Sequence, residues 1–431
     1  MTIVAAPGVL RPTGRLRGRL ELPGDKSIAH RALIVGALSG GPATVLVRSP
    51  GADVLSTAGC LRELGVDVRE ETHGPMHRFS LAGRPTRDAT LDCGNSGTTM
   101  RLLAGAVAGL PLRVTLDGDE SLRARPMERL AVLLRAIGAE VTTTDGHAPM
   151  TVVGRERPDA VTHRLPVASA QLLGATALAA LSADGETRIE SPGPTRDHTE
   201  RMLAAAGVQV RRDGLITTLV GPARPQPTSL TVPGDVSSAA PWLVAGTIHP
   251  DGDITLTGVG LNPTRTALVD LLRRLNVDLE VTVVDASVPE PVGDLRIRSG
   301  RTLPPVGVSG ADAAALIDEL PLIGILMAAP DGTSELRDAT ELRVKESDRI
   351  AAMVGGLRSI GASVEELPDG WRVSRGTPQS ARIATQGDHR IAIAFAVAAL
   401  GGVASAVELD DPDCVTVSYP SFWADVAAVT A

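Results

Sequence analysis

Two hydrophobic patterns alternate along the chain. In the first, an amphipathic helix closes on Gly or Asn, and residues of alternating polarity follow at once as a strand. It runs through Cys60-Leu61-Arg62-Glu63-Leu64-Gly65-Val66-Asp67-Val68 and returns at Leu133 to Val141, Met202 to Val210, Leu271 to Leu279 and Gly356 to Val364. The pivots Gly65, Gly138, Gly207, Asn276 and Gly361 are spaced by 73, 69, 69 and 85 residues. Gly or Asn there is what a left-handed helix cap requires. In the second pattern a turn of small residues opens a helix that is apolar on every side. Copies begin near Lys26, Asn95, Ser169, Ser237, Ala311 and Asp388. A helix without a polar face belongs in an interior, so these six are expected to be buried and the charged helices to cover them. Six units of about 72 residues, each β-α-β-α-β-β, account for the chain's 431 residues.

The halves repeat each other. Pro23-Gly24-Asp25-Lys26-Ser27 matches Pro233-Gly234-Asp235-Val236-Ser237 at an offset of 210, and Ala29, Leu33 and Gly36 match Ala239, Leu243 and Gly246 at the same offset. The expected fold is α/β: two similar lobes of three repeats each. Lobe I takes residues 1–22 and 233–431, with the first strand pairing back across the chain, and lobe II takes residues 23–232.

Composition narrows the function. Hydrophobic residues are 43% and charged residues 21%, as in ordinary globular proteins. Only seven aromatic residues are present, too few for base-stacking platforms, and the net charge is −8. Both argue against nucleic-acid or anionic-membrane partners. Cys60, Cys93 and Cys414 are odd in number and far apart, so no disulfide framework or zinc site follows. His73 and His77 have metal-ligand spacing, but Gly74 and Pro75 between them spoil the helical face it needs, and no metal is expected. Met1–Pro7 lacks the charged and apolar regions of a signal peptide. The uncharged run Ile391 to Val407 contains Gly401-Gly402 and reads as a buried helix and strand rather than a membrane span. A cytoplasmic protein is expected.

Any anion site must therefore be local. The six apolar helices would point their N-termini toward the gap between lobes, and helix N-termini attract anions. Lys26, Ser27 and Arg31 lie on the first; a ligand-holding pair or a solvated surface pair both fit. Gly94-Asn95-Ser96-Gly97-Thr98-Thr99-Met100-Arg101 has the composition of a phosphate loop without the Lys of a Walker motif, and a plain turn fits as well. Ser169-Ala170-Gln171 offers neutral hydrogen-bonding groups or merely a cap. Arg125 precedes Pro126, a residue suited to the first turn of a helix, and Arg196 sits in a polar loop. Lys345 and Arg349 are expected on one helical face, with Glu346 and Asp348 as alternative salt-bridge partners. Asp318-Glu319 interrupts an apolar run, as a functional carboxylate or a buried ion pair would. Asp388-His389-Arg390 opens the last apolar helix. Lys26, Arg31, Arg101, Arg125, Arg196, Lys345, Arg349 and Arg390 together suit small ligands bearing phosphates and carboxylates.

The ordered set Pro23-Gly24-Asp25-Lys26-Ser27, Gly94 to Arg101, Arg125-Pro126-Met127, Leu342 to Arg349 and Asp388-His389-Arg390 resembles the EPSP synthase family, the 3-phosphoshikimate 1-carboxyvinyltransferases. Ala168-Ser169-Ala170-Gln171 and Pro194 to Glu200 look more like its class II branch. The resemblance implies transfer of the enolpyruvyl group of phosphoenolpyruvate to the 5-hydroxyl of shikimate 3-phosphate, by a cofactor-free monomer in aromatic amino-acid biosynthesis. It implies that Lys26, Ser27, Arg31, Ser169, Ala170 (through its backbone), Gln171, Arg196, Asp318 and Lys345 bind shikimate 3-phosphate. Lys26, Gly97, Arg125, Gln171, Arg349 and Arg390 would bind phosphoenolpyruvate. Asp318, Glu346 and Lys26 would move protons.

Three positions depart from the family pattern. Ala170 replaces a frequent Ser, Val417 stands where many members have Lys, and Glu341 stands where class I has a substrate-binding Asn. Gly97, where glyphosate-tolerant members often carry Ala, implies a glyphosate-sensitive enzyme. Two other readings compete. A UDP-N-acetylglucosamine enolpyruvyl transferase would carry a Cys in the loop Asp117 to Arg125, which has none. A catalytically dead anion-binding repeat protein would have no need of Asp318 and Glu346, and both are present.

Overall fold

The computed structural model describes residues 8–286 and 289–431. Residues 1–7, which carry the signal-peptide reading, lie outside them. The described residues form five four-stranded sheets and one two-stranded sheet. Each four-stranded sheet follows one plan. Ala89–Asp92 pairs in parallel with Arg113–Asp117, which pairs antiparallel with His147–Val153, which pairs antiparallel with Glu140–Thr144. The helices Gly97–Ala108 and Glu128–Ala136 fill the connections, giving the expected β-α-β-α-β-β order. Parallel neighbours need a helical crossover, whereas the final pair is a hairpin.

Contacts divide the chain into two compact units: one of residues 8–23, 233–286 and 291–431, and one of Gly24–Val232 with Pro289 and Glu290. The first strand of each half is exchanged. Leu16–Glu21 pairs in parallel with Gly252–Gly260. Ser229–Thr231 pairs in parallel with Ala43–Arg48. The chain thus leaves one unit and re-enters it at the two Pro-Gly-Asp turns. The sixth repeat departs from the expected pattern. It has Ser380–Ile383 parallel to Ala406–Leu409, with the helices His389–Leu400 and Phe422–Thr430 and no closing hairpin among the described residues. Leu10 bridges to Val407 along it.

The pivots behave as their residue types require. Gly65, Gly138, Gly207, Asn276 and Gly361 all have positive φ, between 57° and 96°. The apolar helices start within two residues of their expected positions, except that the fifth is split into Gly310–Ala315 and Leu320–Met327. Almost every residue of Lys26–Ser39, Gly97–Ala108, Ala170–Ala180, Val236–Ile248, Leu320–Met327 and His389–Leu400 is buried. Each unit has its own core. Backbones approach closely where Gly allows: a Cβ on Gly105 would lie 2.2 Å from the Ala175 carbonyl oxygen of the neighbouring helix. Ile391 to Val407 is a helix and a strand, as read, and among the described residues no helix is long and apolar enough to cross a membrane. His73 and His77 lie on the hairpin Asp67–His73/Met76–Ala82, where His77 Nδ1 pairs with Glu70 at 2.7 Å.

Candidate active site

The unit built on Gly24–Val232 gathers nine of the expected site residues: Lys26, Ser27, Arg31, Gly97, Arg125, Ser169, Ala170, Gln171 and Arg196. Asp25 caps the Lys26–Ser39 helix by accepting from the Ile28 N–H. This sets Lys26 in the first turn, where its Nζ meets Asp53 Oδ2 at 2.7 Å. Burial alone would raise the Asp53 carboxyl, but Lys26, helped by His30 and Arg125, holds it below the usual range. One turn on, Arg31 is 3% exposed. Its guanidinium donates to three neutral oxygens: Thr199 Oγ1 at 2.7 Å, the Ser27 carbonyl at 2.9 Å and the Ala170 carbonyl at 3.3 Å. Burial pushes its pKa down to about 10, against the attraction of Glu200 and Asp25 and with the repulsion of Arg196. A buried cation bonded to neutral groups gains most from an arriving anion.

The Gly94–Gly97 loop turns on Gly94, at φ 56°. Ser96 caps the following helix through the Thr99 N–H at 3.1 Å. Asn95 accepts from Arg125 Nη2 at 2.7 Å and donates to Asp119 at 2.8 Å. Arg101 Nη1 donates to Gln171 Oε1 at 2.8 Å, and Gln171 Nε2 donates to Thr98 Oγ1 at 2.9 Å. Burial pushes Arg101 down to about 10, and Arg125 adds to the effect. Gly97 lies beside both guanidiniums: a Cβ there would be 2.8 Å from Arg101 Nη1 and 3.3 Å from Arg125 Nη1. Two cations near one glycine backbone at a helix N-terminus make an anion cradle.

The other unit holds Asp318, Lys345, Glu346, Arg349 and Arg390. Asp318 lies in the turn that splits the fifth apolar helix. Arg390 Nη1 donates to its carbonyl at 2.5 Å, and Nη2 lies 3.7 Å from Oδ2. Burial opposes the Arg390 charge, yet Asp318, Glu319 and Glu346 outweigh it and raise its pKa. Arg349, only 1% exposed, meets the fully buried Asp388 through Nε at 2.8 Å and Nη2 at 3.2 Å, and meets Glu346 at 2.6 Å. Burial favours protonation of Glu346, but Arg349 overrides it and holds the carboxyl below its usual range.

Two local expectations are corrected here. Lys345 and Arg349 do not share a helical face. The helix runs Arg349–Ser359 with Asp348 as its cap, whereas Lys345 ends a short 3-10 turn, Thr340–Val344, and pairs with Glu341. The cap competes with helix extension, because Asp348 Oδ1 takes the Ala351 N–H. Arg349 pairs with Glu346 as one alternative held, but Asp348 pairs with Arg343 at 2.9 Å. Pro126 stands just outside the helix Glu128–Ala136 rather than in its first turn.

The structure adds residues that the sequence reading passed over. Asp53 reads in sequence as an ordinary acid in a helix first turn. Thr199 lies in a quoted motif but carries no signal for its bond to Arg31. Arg265 has no place in that reading, and Ser237 enters it only as a helix opening; both join Glu319 in a part-buried network, where Ser237 Oγ donates to Glu319 Oε1 at 2.6 Å and accepts from Arg265 Nη2 at 2.8 Å. Among the described residues no cluster of His, Cys, Asp and Glu is arranged to hold a metal ion.

The family model for EPSP synthase (3-phosphoshikimate 1-carboxyvinyltransferase) matches residues 10–426. A relative from Acidithiobacillus ferrooxidans, named 3-phosphoshikimate 1-carboxyvinyltransferase, is 47% identical over 96% of this chain and 95% of its own. One of the same name from Geobacillus kaustophilus is 44% identical over 96% and 98%. The solved EPSP synthase of Acinetobacter baumannii superimposes with a TM-score of 0.87 at 34% identity, covering 98% of both chains. The enolpyruvyl transferase NikO of Streptomyces tendae shares the fold, with a TM-score of 0.74 at 19% identity. With a family match over nearly the whole chain and relatives at this identity, the chain belongs to the EPSP synthase family.

Proposed function

We infer that the enzyme transfers the enolpyruvyl group of phosphoenolpyruvate to the 5-hydroxyl of shikimate 3-phosphate and releases phosphate. The observation that carries this reading is the pairing of Arg101 and Arg125 beside Gly97, with the buried Arg31 in the same unit. Two groups of cations that meet at Ala170-Gln171 suit two anionic substrates bound side by side. Arg31, with Lys26, Ser27, Ser169, Gln171, Arg196 and the Ala170 backbone, is assigned to shikimate 3-phosphate, joined by Asp318 and Lys345. Gly97, Arg125, Gln171 and Lys26 are assigned to phosphoenolpyruvate, joined by Arg349 and Arg390. Arg101 belongs with this second set, because it shares Gln171 and neighbours Gly97.

The chemistry needs two proton movements. As the hydroxyl oxygen forms its bond to the enol carbon, its proton leaves and the methylene carbon gains one. When the bond to phosphate breaks, the methyl group gives one back. Asp318 is assigned the hydroxyl proton, and Glu346 or Lys26 the proton at carbon. Glu346, its carboxyl held below the usual range by Arg349, suits an acceptor; the Lys26 side chain suits a donor. Such assistance is typically worth ~10²–10⁴-fold, and the arginines add alignment and charge stabilisation.

The same reading makes the enzyme a cytoplasmic monomer with no resident cofactor and no nucleic-acid partner; the −8 charge and the few aromatic residues support the last of these. It also makes the enzyme sensitive to glyphosate, through Gly97. Proton NMR of the product tests the acceptor. New vinyl signals are expected with phosphoenolpyruvate and shikimate 3-phosphate. Vinyl signals only with UDP-N-acetylglucosamine would replace the acceptor, and none with either would favour the non-catalytic reading.

A further inference from the structure

The two Pro-Gly-Asp turns are copies, but their side chains are used differently. In the first, Asp25 caps the helix and Lys26 follows. In the second, Val236 stands in place of Lys26, and Asp235 accepts from the Ser237 N–H at 2.8 Å. Ser237 faces inward to the protein's own groups. Its Oγ donates to Glu319 Oε1 at 2.6 Å and accepts from Arg265 Nη2 at 2.8 Å. The Arg265 nitrogen also lies 3.4 Å from Asp235 Oδ1. The Arg265 side chain is 5% exposed, and Glu319 is 7% exposed.

Glu319 directly follows Asp318 and stands at the start of the Leu320–Met327 helix. The turn they share is gripped from two sides. Arg390 holds Asp318 by its carbonyl and faces its carboxylate. Ser237 holds Glu319. Asp318 therefore lies in a turn between two helices, closed by the Glu319 and Leu320 N–H groups on the Leu316 carbonyl at 2.8 and 2.9 Å, and these side-chain contacts brace that turn from outside. Removing the Ser237 hydroxyl would leave a buried carboxylate oxygen short of a donor and free Arg265 to pull on it directly.

We propose that Ser237 and Glu319 are positioning residues for Asp318: the second copy of the repeated turn fixes the turn that presents this carboxylate to the substrate hydroxyl. This rests on the assignment of the hydroxyl proton to Asp318. Neither residue is assigned a contact with substrate, so their loss should appear mainly in kcat, with a smaller effect on shikimate 3-phosphate binding through Asp318 and none on phosphoenolpyruvate binding. A small misplacement of a reacting group costs up to ~10²-fold.

The test is steady-state kinetics of Ser237→Ala, Ser237→Cys, Ser237→Thr and Asp318→Asn, with thermal unfolding of each. Cysteine preserves volume but donates weakly, so it carries the test if the alanine variant does not fold. The expected result is a kcat lowered ~10- to 100-fold in the Ala and Cys variants, with KM for phosphoenolpyruvate nearly unchanged and KM for shikimate 3-phosphate changed far less than kcat. Threonine, which restores the hydroxyl, should recover most of kcat. Wild-type kcat per folded molecule in Ser237→Ala or Ser237→Cys, beside an inactive Asp318→Asn, would overturn the inference alone. So would a loss confined to KM or to the unfolding temperature. A fully active Asp318→Asn would overturn the assignment of Asp318 and the inference with it.

Discussion

Gly97 and Arg31 show what single residues contribute. Alanine at position 97 would place a methyl carbon 2.8 Å from Arg101 Nη1 and 3.3 Å from Arg125 Nη1. The long arginine must move, at a cost of ~1–3 kcal/mol. Gly97→Ala should therefore raise KM for phosphoenolpyruvate and the half-inhibitory concentration of glyphosate, each ~5- to 100-fold, with little change in KM for shikimate 3-phosphate. Unchanged inhibition would remove Gly97 from the phosphoenolpyruvate site, and millimolar inhibition of the wild type would contradict its sensitivity. His30 offers a different test. Burial, with Lys26 and Arg31 nearby, lowers its pKa from 6.5 to about 3. The unfolded chain binds its proton below pH 6.5 and the folded chain does not, so this contribution is intact above pH 6.5 and lost as pH falls toward 3. The loss approaches ~4 kcal/mol. His30→Gln should flatten the fall in unfolding temperature between pH 7 and pH 4.5; an unchanged slope would assign acid lability to other groups. The cations at these sites were legible because they stand at the openings of apolar helices. Their partners were not: Asp53 and Thr199 become neighbours of Lys26 and Arg31 only through tertiary packing.

At the scale of elements, the repeat was legible in its punctuation. Five pivots called for positive φ and adopt it, because little besides Gly or Asn ends a helix that way. The segment before Arg349 was misread because charge spacing outweighed capping. Ser347-Asp348 is a cap signal, and the helix begins directly after it. That helix also supplies a paired test of packing. Gly355 and Gly356 are adjacent, but a Cβ on Gly355 meets nothing within 4 Å, whereas one on Gly356 would lie 2.1 Å from Phe395. Gly355→Ala should stabilise by up to ~1 kcal/mol. Gly356→Ala should destabilise by ~1–3 kcal/mol or more. Equal unfolding temperatures for the two variants would contradict the helix–helix contact. Arg349 and Asp388 form a buried ion pair across the openings of two helices, so truncating either partner should cost ~3–5 kcal/mol.

At the scale of the whole molecule, the exchanged first strands were legible through the constant offset of 210 between the two turns. The short sixth repeat was not, since its missing hairpin leaves no mark in a pattern defined by helix starts. Each unit encloses its own core and carries its own share of the residues proposed to bind ligand. Arg31 and Arg101, both pushed down to about 10 by burial, are charges the folded chain holds at a cost. Anionic ligands should relieve it. At a concentration of 100 Kd, shikimate 3-phosphate should stabilise the protein by ~2.7 kcal/mol, seen as a higher unfolding temperature; shikimate without its phosphate should do far less. Equal shifts from both would mean that the cations do not hold the phosphate.

The central claim is a transfer that joins two substrates, and phosphate release tests it most directly. Purified protein is mixed with phosphoenolpyruvate and shikimate 3-phosphate, and each is omitted in turn. Release only when both are present is the predicted result. Release from phosphoenolpyruvate alone, or no release with both, would contradict the account.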